Sequence, residues 1–397
     1  MHIPPAYLDG SPQSADEIIR DTLHFVRTLL DMEVGFVSEF NNGRRYFRYI
    51  DSRVGFAPIC VGGSDPLELS YCKRVVDGRL PELMQDATQN PEALSIPATA
   101  ALPVGAHLSV PIKFSDGRVY GTFCFFSRTA DQTLNERDLR TLRLFADFVA
   151  KILEKDAAAS AIRDEIRLRL RAALDGKHYR IWYQPIISVA ENTVVGHEAL
   201  TRFLVEPVRT PDKWFNESLD VGLQKELEFA VIQQALHGLA QLPDKTYLSF
   251  NVSPATITGG ALSRLLESYP LERLVLEITE HASISDYSAI AAELDPLRKR
   301  GLRLAVDDAG AGYASFRHIL KLKPDVIKLD ISLVQRIDVD LGCRALAAAI
   351  SRFAEETGSK VLAEGVETDA EFKILRELKI NNAQGFLLGR PQPLEYN

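Results

Sequence analysis

The chain has 397 residues, of which 46% are hydrophobic and 25% charged; that length favours two or three domains, and that composition excludes a disordered, collagenous or fibrous protein. With 46 Lys and Arg against 54 Asp and Glu the formal charge is −8, which argues against wrapping duplex nucleic acid. The N-terminal segment lacks a basic stretch followed by an apolar one, and no run of about 18 apolar residues occurs, so the reading is a cytoplasmic protein without a membrane span.

Residues 18–30 carry apolar residues at helical spacing. EVGFVSEF and RRYFRYID flank Asn41-Asn42-Gly43, the pattern of a β-hairpin. HLSVPIKF and RVYGTFCFFS flank Ser115-Asp116-Gly117 and predict a second hairpin. Between them LSYCKRVVDGRLPELMQDA is mixed and predicts a short helix. Together these describe a small α+β domain over 15–155. From Glu136 to Leu174 the chain has no Pro or Gly. Leu142, Phe145, Val149, Ile152, Ala159, Ile166, Leu170 and Ala173 recur at 3-4 spacing, broken by Asp156 and Arg163. This predicts a closing helix that continues through 156–176 as a coiled-coil connector of a homodimer. The four cysteines, Cys60, Cys72, Cys124 and Cys343, have no metal-ligand spacing and read as buried free thiols in a reducing compartment.

Over 177–397 the rhythm changes to short apolar strands alternating with helical stretches, the pattern of an α/β (β/α)₈ barrel. Active groups of such barrels sit at the C-terminal ends of the strands. Glu198 closes the second predicted strand and Asn251 the third. Glu277 lies in the fourth, Asp307 and Asp308 end the fifth, and Lys328 lies in the sixth. Glu364 ends the seventh and Gln384 opens the eighth. Five carboxylates on one rim repel one another unless cations lie between them. All-oxygen ligation suits Mg²⁺ or Mn²⁺, and two such ions about 4 Å apart clamp the attacking and leaving oxygens of a phosphoryl centre. Lys328 adds a positive charge beside it. The residues by themselves point to metal-dependent hydrolysis of a phosphate ester.

The motifs YQPII, EALTR, FNVSP, LEITE, VDDAGAGYAS, IKLD, AEGVE and QGFLLGRP, in that order, resemble the EAL family of cyclic di-GMP phosphodiesterases. The resemblance implies a barrel whose first strand is antiparallel, two Mg²⁺ or Mn²⁺ ions, and hydrolysis of cyclic di-GMP to linear pGpG. It implies Glu198, Asn251, Glu277, Asp307 and Asp308 as metal ligands, with Glu364 near the site binding water or metal. Lys328 matches the catalytic lysine and Gln384 the glutamine beside it. Glu280 matches a glutamate that holds the loop after the fifth strand, and Gln184 and Arg202 match substrate contacts. One departure falls in that loop, where Ala309 replaces an aromatic residue. No ligand position is lost. That favours an active enzyme over its alternative, an inactive cyclic di-GMP receptor signalling by contact.

The first domain resembles a GAF sensory domain on LELSYCKRVVDGRLPELMQD and the HLSVPI…GTFCFFS hairpin. A small-molecule ligand is implied but not named, and Cys72, His24 and His107 by themselves read as structural residues rather than chromophore or haem attachments. His197, next to Glu198 on the strand, is expected to face away from the barrel mouth.

Overall fold

The structure, a computed structural model, describes residues 14–53, 59–206, 208–278, 284, 286–309 and 313–394. The chain divides into two compact units, Met1–Ile162 and Arg163–Asn397.

In the first unit, helix α1 (Ala15–Leu29) opens with a reciprocal cap between Ser14 and Glu17. Strands β1 (Val34–Asn41) and β2 (Arg44–Ser52) form the first hairpin. Its turn needs left-handed backbone at two successive residues, and Asn42 (φ 49°) and Gly43 (φ 73°) supply it. Next come β3 (Ser64–Pro66), helix α2 (Tyr71–Val76), β4 (Leu83–Met84), helices α3 (Pro91–Leu94) and α4 (Pro97–Ala101), and the second hairpin of β5 (His107–Lys113) and β6 (Val119–Phe126). The strands make one antiparallel sheet in the order β3-β2-β1-β6-β5-β4.

Alternation along β6 divides the core in two, because successive strand residues point to opposite faces. Phe123 and Phe125 join Leu23 and Val26 of α1 and Leu142 and Val149 of α5 (Glu136–Asp175). Cys124 and Phe126 join Tyr71, Cys72 and Val75 on the other face. The division between the units falls within α5. Leu142 and Val149 of its helical repeat are buried in the first unit and Leu170 and Ala173 in the second. Those repeat positions are therefore committed to the units' own cores rather than left for a partner helix.

The second unit is a closed barrel of β7 (Tyr179–Ser188), β8 (Val194–Phe203), β9 (Tyr247–Asn251), β10 (Leu274–Ile278), β11 (Arg303–Ala309), β12 (Val326–Leu329), β13 (Lys360–Ala363) and β14 (Asn382–Ala383). The first strand, β7, pairs antiparallel with both β8 and β14, and every other pairing is parallel. The expected α+β unit followed by an α/β barrel with a reversed first strand is the observed fold. Inside the strands Ile186, Tyr247, Val275, Ala305, Val326 and Leu362 form an apolar plug separate from the larger core beneath the helices. Among the described residues no helix is long and apolar enough to cross a membrane.

Candidate active site

The strand period of two builds the site directly on that plug. Two residues toward the barrel mouth from Val275, Ala305, Val326 and Leu362 stand Glu277, Asp307, Lys328 and Glu364. The same step from Tyr247 gives Ser249. On β7, which runs the opposite way, it gives Gln184 from Ile186. Glu198 faces Gln184 across the hairpin and Ser249 on β9. Asn251 ends β9 opposite Glu277.

Three positions differ from the sequence reading. Glu364 does not end the seventh strand but follows β13, which ends at Ala363. Glu198 does not close its strand: β8 continues to Phe203, because β7 and β8 pair as a long antiparallel hairpin. Gln384 does not open the eighth strand but follows β14, which ends at Ala383. Asp308 lies in β11, though its side chain is outside the described residues, as is all of Glu280. Directly after Glu364 the chain turns at Gly365 (φ 71°), where a Cβ would lie 2.2 Å from Ile331.

Lys328 is the hub. Its side chain is 1% exposed, and Nζ lies 2.6 Å from Glu277 Oε2, 2.7 Å from Glu364 Oε1, 3.1 Å from Asp307 Oδ1 and 3.5 Å from Glu198 Oε1. Burial alone would lower the lysine pKa, but these four carboxylates together hold it well above its ordinary value. Burial pushes Glu277 up, against the pull of Lys328, and the charges of Glu198 and Asp307 add to the rise. Glu364 is raised for the same first reason.

Gln384 Nε2 donates to Glu198 Oε2 at 2.6 Å and to Gln184 Oε1 at 3.0 Å, and Gln184 Nε2 donates to the Gly389 carbonyl at 3.0 Å. This relay fixes the far side of the Glu198 carboxylate. Arg202 stands at the end of β8 with its guanidinium 5.4 Å from the centre of the Trp182 ring. Burial lowers its pKa, and Glu198 opposes that shift. His197 is kept out of the cluster; its Nδ1 is buried without a hydrogen-bond partner among the described residues, and burial lowers its pKa. Ala309 is fully buried at the end of β11.

The donor set fits divalent cations. One ammonium faces four carboxylates, and the Oε1 of Gln384 and the Oγ of Ser249 are buried without a hydrogen-bond partner among the described residues. A buried excess of anions and orphan oxygens is stable only with further cations or protons. Among the described residues no three His, Cys, Asp or Glu side chains already form a metal cage, since the ammonium of Lys328 lies between the carboxylates. Sequence reasoning missed Ser249. The step of two along YLSFN from Tyr247 toward Asn251 is the signal that finds it.

An eight-stranded barrel with a reversed first strand and a carboxylate ring around a lysine defines a class of protein, and the sequence comparisons agree. The EAL domain profile matches residues 167–391, and the chain belongs to that family. A GAF domain profile matches residues 12–154. The chain is 31% identical over 235 residues to the probable cyclic di-GMP phosphodiesterase PdeA of Escherichia coli, covering 57% of this chain and 32% of PdeA. It covers 42% of an uncharacterised Mycobacterium tuberculosis protein to which it is 29% identical. It thus spans less than half the length of these curated relatives. Among solved structures, the PaMucR phosphodiesterase in complex with c-di-GMP matches with TM-score 0.52 and 28% identity, covering 58% of this chain and 98% of that one. The Bacillus subtilis YkuI protein, in complex with c-di-GMP and calcium, matches with TM-score 0.50 and 26% identity, covering 58% of this chain and 59% of that one.

Proposed function

We propose that the barrel hydrolyses cyclic di-GMP to linear pGpG in the presence of Mg²⁺ or Mn²⁺, and that the GAF unit regulates the rate. The observation that carries this reading is the buried ring of four carboxylates around Lys328 at the mouth of an EAL-family barrel. Glu198, Asn251, Glu277, Asp307 and Asp308 would hold the two cations, with Glu364 beside them. Such ions supply Lewis acidity toward a phosphoryl oxygen and an activated water.

The chain's own residues do the rest. Lys328 stays an ammonium, because its neighbours stabilise the charge. It therefore acts as a fixed positive charge and hydrogen-bond donor rather than as a base. Gln384 holds Glu198 from behind, so that the other carboxylate oxygen faces the reacting centre. Arg202, at the mouth end of β8, and Gln184 contact the dinucleotide. In the first unit Phe25 and Leu29 of α1 and Leu144 and Phe148 of α5 are large apolar side chains exposed by 46 to 71%. A second copy covering them would give the homodimer through which a GAF ligand acts.

Chromatography of cyclic di-GMP incubated with the whole chain in Mg²⁺ and in Mn²⁺ tests the reaction. A pGpG peak that Glu198→Ala abolishes supports it. Tight binding of cyclic di-GMP without product in Mg²⁺ or Mn²⁺ favours the receptor alternative. A monomer by light scattering at micromolar concentration removes the dimer.

A further inference from the structure

We propose that Cys72 and Cys124 in the GAF unit are a redox-active pair, in which Cys72 reacts with a hydroperoxide and Cys124 resolves it to a disulfide. The two lie 52 residues apart, on α2 and on β6, yet their Sγ atoms are 3.5 Å from each other and both side chains are fully buried. Two sulfurs in van der Waals contact across an element boundary need only a small approach to bond.

Their surroundings are not those of thiols used as small apolar fillers. Arg45 Nη1 donates to Cys72 Sγ at 3.0 Å. This guanidinium is buried, ringed by Phe36 and Phe47, whose centres lie 5.6 and 4.7 Å away, and bonded on its other edge to Asp65 at 3.0 and 2.5 Å. A buried cation needs anionic company. Asp65 is a partner at the rim, and the Cys72 sulfur is the partner inside. On the other side Cys124 Sγ lies 2.7 Å from Ser109 Oγ, 3.6 Å from Thr122 Oγ1 and 3.9 Å from His107 Nε2.

The asymmetry assigns the roles. Burial by itself raises both thiols. For Cys72 the Cys124 thiol, the Arg45 guanidinium and the Thr122 hydroxyl outweigh burial and hold its pKa low. Cys124 is raised by burial and by the neighbouring Cys72 sulfur. The thiolate is the nucleophilic form, so Cys72 is the attacking sulfur and Cys124 the reserve proton carrier.

The chemistry closes without a further reagent. The Cys72 thiolate attacks one oxygen of the hydroperoxide, forming S–O as O–O breaks and giving a sulfenic acid and, after protonation, water or an alcohol. Cys124 then attacks that sulfur, S–S forms as S–O breaks, and the departing oxygen takes up the thiol proton to leave as water. Two thiols are oxidised by two electrons and one hydroperoxide is reduced. A metal role is the weaker reading of the same cluster. Among the described residues no three His, Cys, Asp or Glu side chains are arranged to hold an ion, and the Arg45 charge against Cys72 opposes one. Access requires local opening of α2, a helix of six residues, which a water-sized oxidant can exploit.

The test uses the full chain, reduced, freed of reductant, exposed to hydrogen peroxide, alkylated under denaturing conditions and digested for mass spectrometry. The expected product is a Cys72–Cys124 linked peptide pair, two hydrogens lighter than its reduced halves and restored by reductant. In Cys124→Ser the expected result is a dimedone adduct on Cys72. Recovery of both residues as alkylated thiols, under conditions that oxidise Cys60, which is exposed rather than buried as the sequence suggests, would overturn the proposal. So would linkage of either residue to Cys60 or Cys343, or an unlabelled Cys72 in Cys124→Ser. None of these readouts depends on phosphodiesterase activity.

Discussion

A deeply buried cation in each unit, Arg45 in the first and Lys328 in the barrel, is balanced in opposite ways. Arg45 in the first unit is matched by one carboxylate, Asp65, and one sulfur, Cys72, with aromatic faces filling the remainder. Lys328 in the barrel faces four carboxylates within 3.5 Å. A buried charge must be compensated, so the first arrangement is complete and the second leaves an anionic surplus. A complete cluster changes the reactivity of what it holds. A surplus recruits charge from outside, here divalent cations and a phosphodiester to act upon.

The largest expected effect breaks the barrel's side of that contrast. Glu198→Ala removes an anionic oxygen from the ring and the acceptor of Gln384, and it should abolish pGpG formation in a chromatographic assay. Lys328→Ala should cost on the order of 10²-fold or more in kcat, as loss of a preorganised charge does. A variant as active as the parent would refute the role given to Lys328.

Stability sharpens the contrast further. Lys328→Met leaves four carboxylates unmatched and should destabilise the barrel by about 3–5 kcal/mol, as removal of one partner of a buried ion pair does. Thermal unfolding in chelator should show the loss, and added Mg²⁺ should recover part of it. Arg45→Met should cost the first unit less, about 1–3 kcal/mol, because Cys72 can take a proton and Asp65 is partly exposed. Equal losses would mean that the two clusters are balanced alike. The smallest effect belongs to Arg202→Ala, which should raise KM roughly tenfold with little change in kcat, the size of one charged hydrogen bond.

Much of this was legible in the sequence because strands report themselves with a period of two. Val275-Leu276-Glu277, Ala305-Val306-Asp307, Val326-Ile327-Lys328 and Leu362-Ala363-Glu364 each place a charge one step above an apolar residue, and four such triplets in chain order imply one charged layer. Both hairpins were equally plain, since Asn42, Gly43 and Gly117 mark where the chain turns, and apolar spacing over 18–30 showed helix α1, though not its start at Ala15. What pairs across long sequence separations was not legible. Nothing local reveals that Lys328 touches four carboxylates, three from other strands and one directly after β13, or that Cys72 meets Cys124. The place of Glu198 midway along β8 rather than at its end escaped, because it depends on pairing with the antiparallel β7 rather than on the strand's own residues. The helical repeat of α5 was read correctly as helix. Spacing alone, however, does not say that Leu142 and Val149 face one core and Leu170 and Ala173 another.

The most direct test of the account is the initial rate of cyclic di-GMP cleavage as Mg²⁺ or Mn²⁺ is titrated into metal-stripped protein. The account predicts no pGpG in chelator and a saturable rise with either ion. A rate indifferent to chelator would contradict it. So would a folded, metal-loaded protein that binds the dinucleotide and never cleaves it.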